Sequence, residues 1–339
     1  MKTKILMTNR KYPYKNPMIN YIQVAFDQLV KIFPKRKSTN TLSKTSKILF
    51  VKPDHLGDCV LMLETIKNII KTYPNTEFLL SPQGIELFRS TVFHNKTYSI
   101  RHFMHNREQK FMKKIFFFIY DYFKLIMKLK KNKYDFIFLM RSEPGNLITL
   151  SYFLGSKKLV GSEAGGLSAL LDIRVRKPKS SDHESDNQRK IIHSVFPSMS
   201  NDLSFSKIWK IDYNTNKNKI TLIMPNSGDR SIEIPSSYWI NEISREAHHH
   251  IIIAGDQDNR KLFDNFSAVH PSVENLSKKL SIEKLIQLIH ESEMVYCLDS
   301  FGAHFAALMG KKTKVFSKNL PTLKRWAAHG KNVEYIFHD

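Results

Sequence analysis

The stretch KILFVKPDHLGDCVLMLETIKNIIKTYPNTEFLL, residues 47–80, decides the fold. Its apolar run ILFV (48–51) is short and uninterrupted, as in a strand covered on both faces. Val60–Tyr73 then carries apolar residues at helical spacing, Pro74-Asn75 stops it, and EFLL (77–80) opens a second apolar run. Strand, helix and strand in this order predict a parallel, doubly wound sheet. The loop after the first strand of such a sheet lies at its carboxyl edge, where ligands bind. Within KPDHLGD, Gly57 permits close backbone approach, and Asp58 stands near the start of the helix. The residues alone leave two roles open for Asp58, a cap favoured by the helix dipole or a catalytic base.

Outward from this unit the alternation continues. Residues 110–133 read as a long helix mixing aromatic and basic residues, and YDFIFLM (134–140) as a buried strand. Arg141 and Glu143 in the following loop read as a surface turn, with contact to a bound substrate as the alternative, and GSKKLVGSEAGG (155–166) as a short strand with a glycine-rich turn. KPKSSDHESDNQRK (177–190) is polar throughout, with no apolar anchor, and with Ser198–Asn218 it brackets an expected crossover near 200–218. The alternation restarts at KITLIMP (219–225) and runs through HHHIIIAG (248–255) and MVYCLD (294–299), with helices near 238–247, 259–266, 282–292 and 300–309. This predicts a basic N-terminal extension (1–46, with a helix near 18–33), a first Rossmann-like domain (47–205) and a second (206–339), with a ligand in the cleft between them.

Two further loops follow strands. In YCLDSFGAHFAALMGKK (296–312) the strand ends at Asp299, Ser300 is a candidate cap, and Gly302 leaves room at the first turn. Free N–H groups at that helix start suit a phosphate, and His304 falls on the same face as Ser300. In MPNSGDRSIEIPSSYWINEI (224–243), Ser227, Gly228 and Arg230 suit a diphosphate. A plain strand–turn–helix and a surface loop remain the alternatives.

Lys and Arg number 53 against 31 Asp and Glu, a formal charge of +22. That surplus implies an anionic partner, or the composition of a Lys- and Asn-rich genome. No helix-turn-helix, zinc or RNA-binding pattern points to nucleic acid. Cys59 and Cys297 form no disulfide framework, which fits a reducing cytoplasm. The N-terminus lacks the apolar stretch of a secretory signal. The run IFFFIY (115–120) is cut by Asp121 and Lys124, short of the ~20 residues a spanning helix needs. His248–His250 looks like a metal tract but has no ligand at suitable spacing, so no metal is expected.

Taken in order, these segments resemble the bacterial heptosyltransferases, glycosyltransferase family 9. Residues 47–80 are similar to that family's strand, Arg or Lys, Leu-Gly-Asp and helix ending in Tyr-Pro. LKKNKYDFIFLM with SYFLGSKKLVGSEAGG resembles its middle segment, and 224–235 and DSFGAHFAALMGKKTKVF its two donor-binding motifs. The resemblance implies a GT-B fold, two Rossmann-like domains facing across a cleft. It also implies an inverting transferase moving heptose from ADP-heptose to lipopolysaccharide or a related glycan, without a bound metal or other cofactor. On it, Asp58 is the general base, and Lys52 and Gly57 meet the acceptor. Ser227, Gly228, Arg230, Asp299, Ser300, Gly302 and His304 meet the donor, and Asp258 its ribose or adenine. The implied partners are a nucleotide sugar, a lipid-linked anionic glycan and the inner face of the cytoplasmic membrane, with no nucleic acid. Two positions depart from the pattern: Ile232 stands where the family has a lysine, and Phe301 follows Ser300. Ile232 opens a second reading, a catalytically impaired sugar-nucleotide binder or scaffold.

Overall fold

A computed structural model describes residues 25–33 apart from 26 and 31, 42–93, 96–100, 111–179, 181–198, 203–212, 219–228, 232–243, 250–318 and 325–337, with the backbone alone over 111–118. The described residues form two compact units. One lies within Met1–Asp54, Thr65–Ile85 and Asn95–Asp202, the other within His55–Glu64, Glu86–His94 and Leu203–Asp339.

The sheet of the first unit contains β1 (Ile48–Lys52), β2 (Thr76–Leu80), β3 (Thr97–Ser99), β4 (Tyr134–Leu139), β5 (Ser156–Ser162) and β6 (Ile173–Val175), in the order β3-β2-β1-β4-β5-β6. Every pairing is parallel. All five residues of β1 are buried, which is why its sequence is an apolar run rather than an alternation. Phe50 lies in register between Phe78 and Phe138, with ring centroids 5.9 and 5.2 Å away. The helices in this part of the chain are α1 (Leu56–Thr72), α2 (Pro82–Arg89), α3 (Phe111–Leu129), α4 (Leu147–Leu154) and α5 (Glu184–His193).

The second unit repeats the winding. Its strands β7 (Ile220–Met224), β8 (His250–Ile253), β9 (Val273–Asn275), β10 (Met294–Leu298), β11 (Lys312–Ser317) and β12 (Val333–Phe337) lie in the order β12-β11-β10-β7-β8-β9, again all parallel. Its helices are α6 (Ser236–Ile243), α7 (Arg260–Ser267), α8 (Ile282–Glu291) and α9 (Phe301–Leu308). The order reverses between β1 and β4 in one sheet and between β7 and β10 in the other. Those two switch points are where such sheets bind ligands.

The structure departs from the sequence reading in several places, and α2, α4, β11 and β12 have no counterpart in it. The polar run 177–190 is not a plain connector, because α5 begins within it and buries Glu184, Asn187 and Gln188 together with Ile191 and Ile192. The edge strands β3, β6 and β9 have three residues each, too few to show a period. Within the N-terminal extension, residues 25 and 27–30 are helical, inside the helix expected near 18–33. Val30 there is buried in the first unit's core, and Phe33 lies 5.6 Å from the ring of Tyr152.

Candidate active site

At the switch point of the second unit, β7 delivers the loop after Met224, and β10 delivers Asp299 and Ser300 to the start of α9. The Ser227 hydroxyl donates to the Asp299 carbonyl at 3.5 Å, tying the two loops together. Gly228 is exposed, with open space where a Cβ would stand, while Arg230 lies outside the described residues. Ser300 is the N-cap of α9 with extended backbone, but its side chain makes no capping bond. The orphan N–H groups of that turn therefore lack the usual hydroxyl acceptor. Gly302 does leave room, as read from the sequence, but Met224 takes it: a Cβ there would lie 2.3 Å from the Met224 methyl. Burial raises the Asp299 carboxyl to about 6, and its charge helps push up Cys297 and Tyr335, after burial in each case.

Behind this loop, Asn226 and Asn259 exchange side-chain hydrogen bonds of 3.0 and 2.8 Å, and Asn259 donates a third to Ser277 at 2.9 Å. Asp258 is exposed and accepts from the Arg260 N–H at 3.0 Å, bracing the entry to α7. His250 contacts Ser272 and Glu274; the rest of the histidine tract lies outside the described residues.

The same unit holds the first turn of α1. That helix starts at Leu56, so Asp58 is its third residue and not its cap, a carboxylate in the first turn where the dipole favours negative charge. Asp58 is half-buried, with Oδ1 enclosed. Gly57 faces α9: a Cβ there would lie 2.9 Å from Cδ2 and 3.5 Å from Nε2 of His304, and 3.8 Å from Cα of Phe301. His304 is 8% exposed. The motif around Asp58 and the motif around His304, some 250 residues apart in sequence, thus meet at their helix N-termini.

At the switch point of the first unit stands a cluster of buried charges. Lys52, expected at the acceptor, is fully enclosed: its ammonium pairs with Asp54 at 3.2 Å and Glu184 at 3.4 Å. Arg141 reaches Asp54 at 3.3 Å from a partly exposed position, and Ser142 donates to Glu184 from both its backbone N–H and its hydroxyl. Two cations and two carboxylates compensate one another, the condition for burying charge. Arg141, read from the sequence as a surface turn, is the member of this cluster that solvent reaches most, at 28% exposure. Asp54 and Glu184 escaped the sequence reading. The available signal for Glu184 was Ile191-Ile192 seven and eight residues on, which places all three on one helical face.

No protein-family model and no curated protein sequence matches the chain. Solved structures do. The chain is similar to E. coli heptosyltransferase WaaC with ADP, at TM-score 0.68 and 12% identity over 86% of this chain and 93% of that one. It is similar to E. coli ADP-heptose LPS heptosyltransferase II at TM-score 0.65 and 13% identity, over 86% and 92%. A family 9 glycosyl transferase from Veillonella parvula gives TM-score 0.68 and 10% identity over 88% and 89%. At these identities the likeness is one of fold, and it bears out the two-domain α/β architecture expected from the sequence.

Proposed function

We propose that this chain is an inverting glycosyltransferase that moves heptose, or a similar sugar, from ADP-heptose to a lipopolysaccharide or lipooligosaccharide core or another lipid-linked surface glycan. The observation that carries this reading is the meeting of Gly57 with His304, which joins the segment holding the candidate base to the segment suited to a diphosphate. The fold shared with structures described as binding ADP or acting on ADP-heptose supports it.

In this reading Asp58 takes the proton of the acceptor hydroxyl as that oxygen attacks the anomeric carbon. The bond from that carbon to the diphosphate breaks, and ADP leaves with the electron pair. Its growing charge is met by the N–H groups at the start of α9, with Ser300, Ser227, Gly228 and Arg230. Asp299 and His304 face the sugar or phosphates, and Asp258 the nucleoside. No resident metal or cofactor is called on. Gly57 lets the acceptor approach. The enzyme works in the cytoplasm, peripheral to the inner face of the cytoplasmic membrane, on an anionic acceptor that suits a chain of charge +22.

A thermal-shift series with ADP-, GDP-, UDP- and dTDP-sugars tests the donor. ADP-heptose is expected to raise Tm and the others to leave it unchanged; a preference for another base would overturn the assignment. One observation favours a second reading, a binder without turnover. Ile232, at the lysine position of the family pattern, packs against the second unit's hydrophobic core instead of offering a cation. Stabilisation by ADP-heptose with no sugar transfer to any acceptor would select it.

A further inference from the structure

We infer that the outer face of α3, with the N-terminal segment and α4 beside it, is a docking surface for an anionic phospholipid bilayer. The inference deepens the reading above, on which it rests only for the presence of a lipid-linked acceptor. Helix α3 is apolar on two sides. One side, Tyr122, Leu125, Ile126 and Leu129, packs into the first unit's core. The other carries Ile119, Tyr120, Phe123 and Met127 at 61, 55, 67 and 54% exposure. A surface helix of a water-soluble domain places polar residues there. Eleven large apolar residues are exposed among the described ones, and eight belong to three neighbouring elements: these four, Phe153 on α4, and Leu29, Ile32 and Phe33. Helices α3 and α4 pack together, and Phe33 lies against Tyr152 and Phe153 of α4. The remaining three, Val92, Val269 and Phe337, lie elsewhere in the chain.

Charge selects the occupant. Residues 111–133 contain seven lysines and one acid, Asp121. Lys124 and Lys128 are exposed on the outer side of α3, and Lys130, Lys131 and Lys133 follow at its end. Lys124 sits 6.0 Å from the Tyr120 ring centroid, beside the apolar residues. Aromatic and aliphatic side chains among lysines match a headgroup region, where the chains enter the acyl boundary and the ammonium groups meet lipid phosphates. A second copy of the chain is disfavoured, because two such faces would oppose the exposed Lys124, Lys128, Lys130, Lys131 and Lys133 of each. Among the described residues no helix is long and apolar enough to cross a membrane, so α3 would lie along the surface.

Flotation of the full chain with vesicles tests this. Vesicles of phosphatidylglycerol and phosphatidylcholine in equal parts are expected to carry the wild type, and phosphatidylcholine alone to carry little. Phe123→Ser with Met127→Ser should weaken partitioning roughly tenfold or more. Lys124→Gln with Lys131→Gln should cost about fivefold for each lysine. Both double variants should keep the wild-type Tm and ADP-heptose turnover on a lipid-free acceptor fragment. Absence of wild-type binding to anionic vesicles, or full binding by the Phe123/Met127 variant, would overturn the proposal. So would a wild-type dimer in light scattering that this variant dissolves, since the face would then belong to a second copy. The lipid-free turnover reports on the glycosyltransferase reading separately, so either can fail alone.

Discussion

Gly57 is held to glycine by what lies opposite it. A methyl group at 2.9 Å from the His304 ring forces that ring or one of the two helix N-termini to shift. Gly57→Ala should therefore destabilise by about 1–3 kcal/mol, and combining it with His304→Ala should cost less than the sum of the two single changes. Strict additivity in thermal or urea unfolding would show that the two residues do not touch. Asp299 gives a second prediction. Its folded carboxyl, raised to about 6 by burial, lies above the ordinary 3.8. The native state thus holds a proton that the unfolded chain releases, and the associated stability is present below about pH 4 and lost as pH rises through about 6. The displacement is worth at most about 3 kcal/mol. Asp299→Asn should remove this slope from the Tm profile between about pH 4 and pH 6; an unchanged slope would place its origin in another group. Both residues were legible in the sequence because they follow apolar runs. Met224 beside Gly302 was not, since β7 and β10 become neighbours only when the sheet forms.

At the scale of the element, α5 shows how sequence patterning misses a helix. Helical amphipathicity is read from apolar side chains, and the buried face of α5 begins with Glu184, Asn187 and Gln188. Glu184 is buried because Lys52 and Ser142 satisfy its oxygens, a pairing between residues 132 apart that no local pattern announces. Glu184→Ala should cost about 3 kcal/mol, near the low end for breaking a buried pair because Lys52 retains Asp54. Arg189→Ala, on the exposed side of the same helix, should stay within about 0.5 kcal/mol although Arg189 pairs with Asp186. Equal losses in denaturant unfolding would contradict the difference in burial. The central strands β1, β4, β7 and β10 were readable for the opposite reason: enclosure on both faces leaves an unbroken apolar run.

At the scale of the whole molecule, the same six-strand winding occurs twice, and each copy sets its charged or polar cluster where the strand order reverses. The architecture was legible from the alternation of apolar runs and amphipathic segments, which survives where identity to structures of the same fold is 10–13%. The charged partners at the first switch point were not, because they come from three separate segments. The central claim is that Asp58 takes the acceptor proton during sugar transfer. Acceptor-dependent release of ADP from ADP-heptose, compared between the wild type and Asp58→Asn, tests it most directly. The variant is expected to lose about 10²–10⁴ in kcat while keeping its fold and its affinity for ADP. An Asp58→Asn protein that transfers sugar at the wild-type rate would contradict the claim.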